Sequence, residues 1–174
     1  MKTLFLISGL LFALFFSASA GAQELRYVLG SGDELRITVF GEKDLSGKFE
    51  IGGHGSLSLP LIGEVQATGL TLKDLASRIS TKLKDGYLKR PRVSIEVLNY
   101  RPFYIIGEVK EPGSYPYVAG MTVLNAVALG KGFTYRADKK DIKVKRANEQ
   151  KEYKARLDDQ VFPGDIIRVT ERFF

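Results

Sequence analysis

His54 is the residue whose type most readily suggests catalysis, because the charge of imidazole changes near neutral pH. It is the only histidine among 174 residues, and the chain has no cysteine. A metal centre needs several converging histidine, cysteine or carboxylate ligands, and nucleophilic catalysis needs a nucleophile beside a base. His54 has neither kind of companion and stands between Gly53 and Gly55. We therefore interpret it as the turn residue at a hairpin tip.

The other motifs with chemical potential also lack their context. Asp158-Asp159 are neighbours, which on a strand point to opposite faces, so we interpret the pair as a solvated turn. Gly30-Ser31-Gly32 precedes a predicted strand, whereas a dinucleotide-binding loop follows one. Gly130-Lys131 has Asn125 where a phosphate loop requires glycine. The sequence predicts no catalytic, cofactor-binding or metal-binding residue, and hence a protein that is not an enzyme.

The amino-terminal residues predict an exported protein. Residues 1–22 carry Lys2, an apolar run from Leu4 to Phe16 and then small residues, which is typical of a signal peptide cleaved after Ala20 or Ala22. The net charge of +6 falls to about +5 on cleavage. Outside the cytoplasm, such a charge favours anionic lipid, an acidic polymer or an acidic partner over nucleic acid. A basic surface with no partner is the alternative.

The first half predicts strands and one helix. Apolar residues alternate from Leu35 to Val39, and again around the loop of residues 52–55, where we expect a hairpin that joins Phe49-Ile51 to Leu57-Leu59. From Leu72 the spacing becomes helical, with Thr71 as the predicted N-cap and Gly86 as the stop. A further strand is predicted after Pro91.

The second half repeats this pattern from Phe103. It predicts a strand to Val109, a short helix capped by Thr122 and ended by Gly130, a strand with a basic outer face through Ile142, and a last strand after Pro163-Gly164-Asp165. Gly164–Thr170 also echoes Gly32–Thr38 at the Gly, Asp, Arg and Thr positions. Shared turn chemistry and common ancestry both remain open explanations. We place the domain boundary at Tyr100-Arg101-Pro102.

These segments together resemble a known family. The stretches Tyr27–Glu42, Gly55–Val65 and Gly69–Thr71 are similar to the polysaccharide export domain of bacterial export proteins. The second half resembles the soluble-ligand-binding β-grasp (SLBB) module that follows it, through Ile106–Val109, Pro112-Gly113, Thr122–Leu129 and Pro163–Ile167. The resemblance implies an α+β fold, in which a small mixed sheet-plus-helix export domain (23–100) follows the signal peptide (1–22) and precedes a β-grasp-like domain (101–174).

The resemblance also implies a function. It predicts a periplasmic, homo-oligomeric ring or adaptor through which capsular or exopolysaccharide passes, with an inner-membrane chain-length regulator and no cofactor. Larger family members have a lipidated cysteine and a carboxy-terminal pore helix. Only Glu171–Phe174 follow the last predicted strand here, so we expect a separate outer-membrane protein to supply the pore. Phe173 and Phe174 are interpreted as a frayed end, with contact to that protein or to a lipid surface as the alternative.

Candidate polymer-contact or interface residues come from two patterns. Tyrosine with arginine suits both sugar stacking and protein interfaces, and basic residues on outward strand positions could line a conduit. The candidates are Arg36, Arg92, Arg101, Tyr104, Tyr115, Lys143 and Lys145. Packing on strand faces is the alternative for the tyrosines, and a monomeric periplasmic saccharide- or ligand-binding module is the alternative function.

Overall fold

The computed structural model describes residues 27–172. The predicted signal peptide and the terminal Phe173 and Phe174 lie outside the described residues. Within that range the chain folds around two separate hydrophobic cores, one made by residues 29–83 and the other by residues 103–169. We call the two parts the first unit and the second unit.

The first unit consists of five strands and one helix. They are β1 (Glu34–Val39), β2 (Glu42–Glu50), β3 (Ser56–Leu59), β4 (Gly63–Gln66), α1 (Leu72–Lys84) and β5 (Val93–Asn99). An antiparallel sheet has the order β2-β1-β5, and β3 and β4 form a separate two-stranded sheet. The inward residues of β1 alternate with exposed or half-buried ones, as period-two patterning requires for a half-buried strand.

Helix α1 has the boundaries that its sequence predicts. Thr71 is the N-cap, and its hydroxyl accepts a hydrogen bond from the Asp74 amide (3.2 Å). Leu75, Ile79 and Leu83 form the buried stripe of the helix. A side-chain cap satisfies an amide that the helix cannot satisfy itself, which contributes about 1 kcal/mol.

The predicted hairpin around His54 is wrong. Strand β2 pairs with β1 and not with β3, and a two-residue turn between Val39 and Glu42 closes that pair. Strand β3 pairs with β4. His54 is indeed an exposed turn residue, but its turn connects strands of two different sheets. The positive φ of this turn belongs to Gly55 (78°) rather than to His54.

The second unit contains one larger sheet. Its elements are β6 (Phe103–Gly107), β7 (Gly113–Tyr115), α2 (Val123–Leu129), β8 (Ala137–Lys145), β9 (Glu152–Ala155) and β10 (Ile166–Glu171). The strand order is β7-β6-β10-β8-β9, in which β6 and β10 are parallel and the other pairs are antiparallel. Helix α2 lies in the long connection between β7 and β8.

Apolar residues of α2 and of the central strands share one core. Val123, Ala126 and Val127 of the helix are buried with Ile105 and Ile167 of the parallel pair. Thr122 caps the helix as predicted, with a reciprocal hydrogen bond from its amide to the Asn125 side chain (2.9 Å). Two short helices against sheets confirm the predicted α+β class.

Candidate functional site

The two Gly-Asp pairs of the sequence echo fold into the same local structure. The Asp33 and Asp165 amides each donate to the carbonyl oxygen three residues earlier (3.2 and 3.1 Å). Each carboxylate accepts a hydrogen bond from the amide of that same earlier residue, at 2.8 Å in both cases. The glycines before them have φ values of 90° and 83°, as the third position of a type II turn requires. The echo is therefore a repeated turn with a folded-back aspartate.

Asp33 is fully buried and joins the first unit to the residues that lead into the second. Its Oδ1 accepts from the Arg101 amide (3.0 Å), and its Oδ2 accepts from Arg101 Nη1 (3.0 Å) and from the Tyr27 hydroxyl. The Arg101 side chain is only 12% exposed. A buried carboxylate is tolerated when its charge is paired and its lone pairs are hydrogen-bonded. Asp33 meets both conditions.

Asp165 occupies the equivalent position in the second unit. Its Oδ2 accepts from Arg146, whose guanidinium also stacks over the Phe162 ring at 4.5 Å from the centroid. The Oδ1 atom is buried without a hydrogen-bond partner among the described residues. Burial raises the pKa of Asp165, although Arg146 and the Phe162 amide act in the opposite direction.

This pKa shift has a definite sign for stability. A carboxyl group whose pKa is raised by folding binds a proton more readily in the native state than in the unfolded chain. Its contribution is therefore fully present below the unfolded pKa and declines as the pH rises through the folded pKa. The ionised form of Asp165 therefore costs the second unit stability, because the Arg146 contact offsets only part of the cost of burial.

Arg101 lies between the two turns. A Cβ atom on Gly164 would lie 2.7 Å from Arg101 Nε, and one on Gly30 would overlap the guanidinium itself. Both glycines are thus needed for the close approach of one side chain to both units. The Gly164 amide also donates to the Pro102 carbonyl (3.0 Å). Contacts on both sides of Arg101 hold the units together with no free linker between them.

Three tyrosines extend the junction. Tyr100, in the connection, makes edge-to-face contacts with Tyr27 of the first unit and Tyr117 of the second, with ring centroids 5.1 and 5.2 Å apart. Such pairs are worth about 0.5–1.5 kcal/mol beyond the burial of their area. Burial and the hydrogen bond to Asp33 raise the pKa of the Tyr27 hydroxyl far above its ordinary value. Tyr27 therefore keeps its proton at any physiological pH and donates a hydrogen bond to Asp33.

A cleft of about 170 Å³ opens at the junction. Two arginines and two aromatic residues are among the residues that line it. The full lining is Tyr27, Val28, Arg101, Arg146, Ala147, Asn148, Glu149, Phe162 and Pro163. Its volume is comparable to cavities that accommodate a six-membered ring. Both guanidinium groups, however, are already paired with buried carboxylates. The cleft thus offers aromatic contact and a few hydrogen-bond donors, and little net charge.

The predicted candidates of the first unit have different surroundings. Arg36 is exposed and pairs with Glu96 across the sheet (2.8 Å). Arg92 is exposed and lies over the Phe40 ring, 5.5 Å from its centroid. Arg101, unlike these two, is held in the junction. The structure does not bring the three arginines together.

Three candidates of the second unit share one sheet face. Tyr104 pairs in register with Ile166, which pairs in turn with Lys145, and Lys143 lies two residues from Lys145 on the same strand. Tyr104 is 44% exposed, and the two lysines are half-buried. Tyr115 differs, because its hydroxyl donates to the Glu111 carbonyl (2.6 Å) and its ring packs near Phe103. Tyr115 thus packs at the edge of the sheet, where β7 is the outermost strand.

Sequence reasoning missed most of the junction. It named Arg101, but not Asp33, Tyr27, Arg146 or Phe162 as site residues. The signal was present in the Gly-Asp echo, since an aspartate before an apolar strand can fold back on its turn. Nothing local in the sequence indicated that each aspartate would be buried against an arginine distant in the chain.

Two further properties concern the described residues 27–172. No group of three or more histidine, cysteine, aspartate or glutamate side chains in that range could hold a metal ion. No helix in the same range combines the length and apolar content needed to cross a membrane.

Comparison with known families matches both units in order. A model of the polysaccharide biosynthesis/export protein family matches residues 21–98, and a model of the SLBB domain matches residues 102–155. The first matched range ends before Arg101, and the second begins directly after it. The first range contains the whole core of the first unit, and the second contains most of the core of the second unit.

Curated relatives agree with this assignment. The chain is 40% identical over 150 residues to the exopolysaccharide production protein ExoF of Rhizobium meliloti (strain 1021), covering 79% of this chain and 35% of ExoF. It is 29% identical over 125 residues to the polysialic acid transport protein KpsD of Escherichia coli, covering 70% of this chain and 22% of KpsD. The chain therefore spans about a third or less of the length of these relatives. With these two matched domains and these relatives, the chain belongs to the polysaccharide export protein family.

Proposed function

We propose that this chain is a periplasmic subunit of a conduit that exports capsular polysaccharide or exopolysaccharide. In this proposal several copies form a ring or adaptor. The ring works with an inner-membrane chain-length regulator and delivers the polymer to a separate outer-membrane protein. The signal peptide suggested by residues 1–22 would bring the chain to the periplasm.

The observation that carries the proposal is the paired-domain architecture with its fixed junction. A subunit that forms part of a wall must hold its two domains in one orientation, so that neighbouring copies meet at the same angle. Here Arg101 is bonded to buried Asp33 and lies against Gly164 of the second unit. A hydrogen-bonded, buried pair of this kind resists reorientation, because opening it would leave a charge without a partner.

The mechanism is one of shape and weak contact rather than bond-making chemistry. A moving polymer is best served by many exposed, weak contacts, because deep sites would retain it. The outer face of the second unit's sheet offers such contacts through Tyr104, Lys143 and Lys145. We propose this face, with Arg36 and Arg92 of the first unit, as surface that meets the polymer or a neighbouring copy.

The junction cleft favours a second candidate function. Its aromatic walls and hydrogen-bond donors suit a single saccharide ring, so a monomeric saccharide-binding module is also consistent with the geometry. The two functions differ in assembly and in affinity. A conduit needs several copies and no strong glycan site, whereas a binding module needs one copy and a strong site.

Native mass spectrometry of the exported chain, purified from the periplasm, separates these functions. We expect a closed oligomer of defined copy number, and no tight complex with short oligosaccharides of the cell's own polymer. A persistent monomer that binds one such oligosaccharide with micromolar affinity would instead establish the binding module. Repeating the measurement at several protein concentrations shows whether a weakly associated ring dissociates on dilution.

A further inference from the structure

An open groove runs along the first unit between the exposed side of α1 and the start of β5. Its carboxy-terminal part has a volume of about 580 Å³ and is lined by Lys84, Lys89, Arg90, Pro91 and Arg92. Its amino-terminal part, of about 390 Å³, shares Lys84. We call the two parts together the α1–β5 groove. None of its residues lines the junction cleft, so the groove and the cleft are separate features.

The cations of this groove have no acidic partners. Among residues 27–172, no ion pair involves Lys84, Lys89, Arg90 or Arg92, and the Arg92 guanidinium lies over the exposed ring of Phe40. Like charges held close together repel one another, so the arrangement costs free energy unless an anion neutralises it. The helix C-terminus can stabilise Lys84 through the helix dipole. It does not account for the cations of residues 89–92, which lie beyond the last turn.

The second part of the groove adds hydroxyl groups to these charges. It contains Ser77, Ser80 and Thr81 besides Lys73 and Lys84. The Thr81 hydroxyl donates to the Ser77 carbonyl (3.0 Å), and the Ser80 hydroxyl to the Pro91 carbonyl (3.4 Å). Their oxygen lone pairs remain available as acceptors for hydroxyl groups of a ligand. The two parts of the groove thus combine cations with hydroxyl acceptors and have Lys84 in common.

We propose that the α1–β5 groove binds an anionic polysaccharide strand, a proposal that rests on the export function above and names the charge class of its substrate. Carboxylate or phosphate groups of the polymer would meet the unpaired cations, while sugar hydroxyls would meet the serine and threonine oxygens. The two parts share Lys84 and so offer a linear polymer adjoining places of contact. A membrane surface would instead favour projecting apolar side chains among the cations, whereas the lining of this groove is mostly charged or hydroxyl-bearing.

The test measures binding of fluorescently labelled polysialic acid to the full exported chain by anisotropy. The groove variant carries Lys84→Gln, Lys89→Gln and Arg90→Gln. The control carries Lys139→Gln, Lys140→Gln and Lys154→Gln, which removes the same charge from another open basic depression on the second unit. Because all six side chains are exposed, circular dichroism is expected to show native spectra for both variants.

We expect the wild-type chain to bind polysialic acid, more weakly as salt rises, and not to bind neutral dextran. The groove variant should lose affinity about tenfold or more, with a shallower salt dependence, while the control stays within about twofold. Equal losses in both variants, no loss in either, or no binding by the wild-type chain would overturn the proposal. So would a groove variant that binds the polymer normally and loses only its binding to phosphatidylglycerol vesicles.

The outcome can be separated from that of the export function. If the chain forms a ring but the wild-type protein fails to bind the anionic polymer, the groove proposal fails and the conduit stands. If the chain stays monomeric, the conduit itself fails, whatever the groove binds.

Discussion

Replacing Asp33 by asparagine is expected to lower the free energy of unfolding by about 3–5 kcal/mol. Asparagine keeps the size of the side chain and can still accept one of the two amide hydrogen bonds, from Gly30 at the Oδ2 position or from Arg101 at the Oδ1 position, because it has a single acceptor oxygen. It removes the negative charge, however, and leaves the Arg101 guanidinium, which is 12% exposed, without a counter-charge. Urea unfolding at neutral pH, followed by circular dichroism, measures the loss.

A matched variant tests whether burial is the reason. Glu96→Gln removes the same charge from the Arg36–Glu96 pair, whose side chains are 49% and 59% exposed. Its cost should be under about 1 kcal/mol, because exposed pairs are screened by water. The double variant Asp33→Asn with Arg101→Gln should cost less than the sum of the single changes, by about 1–3 kcal/mol. Similar costs for the two single acid variants would show that the junction does not depend on a buried pair.

Replacing Gly107 by alanine is expected to destabilise the second unit by about 2–4 kcal/mol. Gly107 ends β6 with φ of 86°, a conformation that alanine adopts only with strain. A Cβ atom there would also overlap the backbone carbonyl oxygen of Val169 in the neighbouring parallel strand. That oxygen accepts the Glu108 amide (2.9 Å), so neither strand can move aside without losing this hydrogen bond. Thermal or urea unfolding of the purified variant measures the effect.

Gly113→Ala is the control for this change. Gly113 begins β7 with a φ outside the left-handed region. A Cβ atom added there would lie 3.8 Å from the nearest atom, a ring carbon of Tyr115. We expect a change of less than about 1 kcal/mol, because alanine fits this site without strain. A Gly107→Ala protein as stable as Gly113→Ala would mean that the parallel β6–β10 pair is looser than the structure indicates.

Local patterns were sufficient to predict the helices. The caps Thr71 and Thr122 and the spacing of the apolar residues lie within a few residues of each other, so short-range chemistry defines α1 and α2. Strand pairing depends on which distant segment competes best for an edge. The alternation around residues 49–59 therefore located strands correctly, but the partners predicted from it were wrong. A tight turn after Val39 joins β2 to β1, and β3 pairs with β4.

The junction shows the same limit for function. The Gly-Asp echo was visible in the sequence because both turns repeat one local structure. That Asp33 would meet Arg101, 68 residues further along the chain, depends on how two cores are placed beside each other. The unpaired cations of the α1–β5 groove were also visible as a run near Pro91. Only the fold showed that they lie beside hydroxyl groups of α1, in two adjoining depressions that share Lys84.

The most direct test of the export function is the distribution of polysaccharide in a cell that makes the polymer but lacks this chain. Surface polymer and periplasmic polymer would be measured separately, with the wild-type chain restored from a plasmid as the control. The proposed conduit predicts that surface polymer is lost, that any polymer made is retained inside the outer membrane, and that the plasmid restores export. Unchanged surface polymer in the cell without the chain would contradict it.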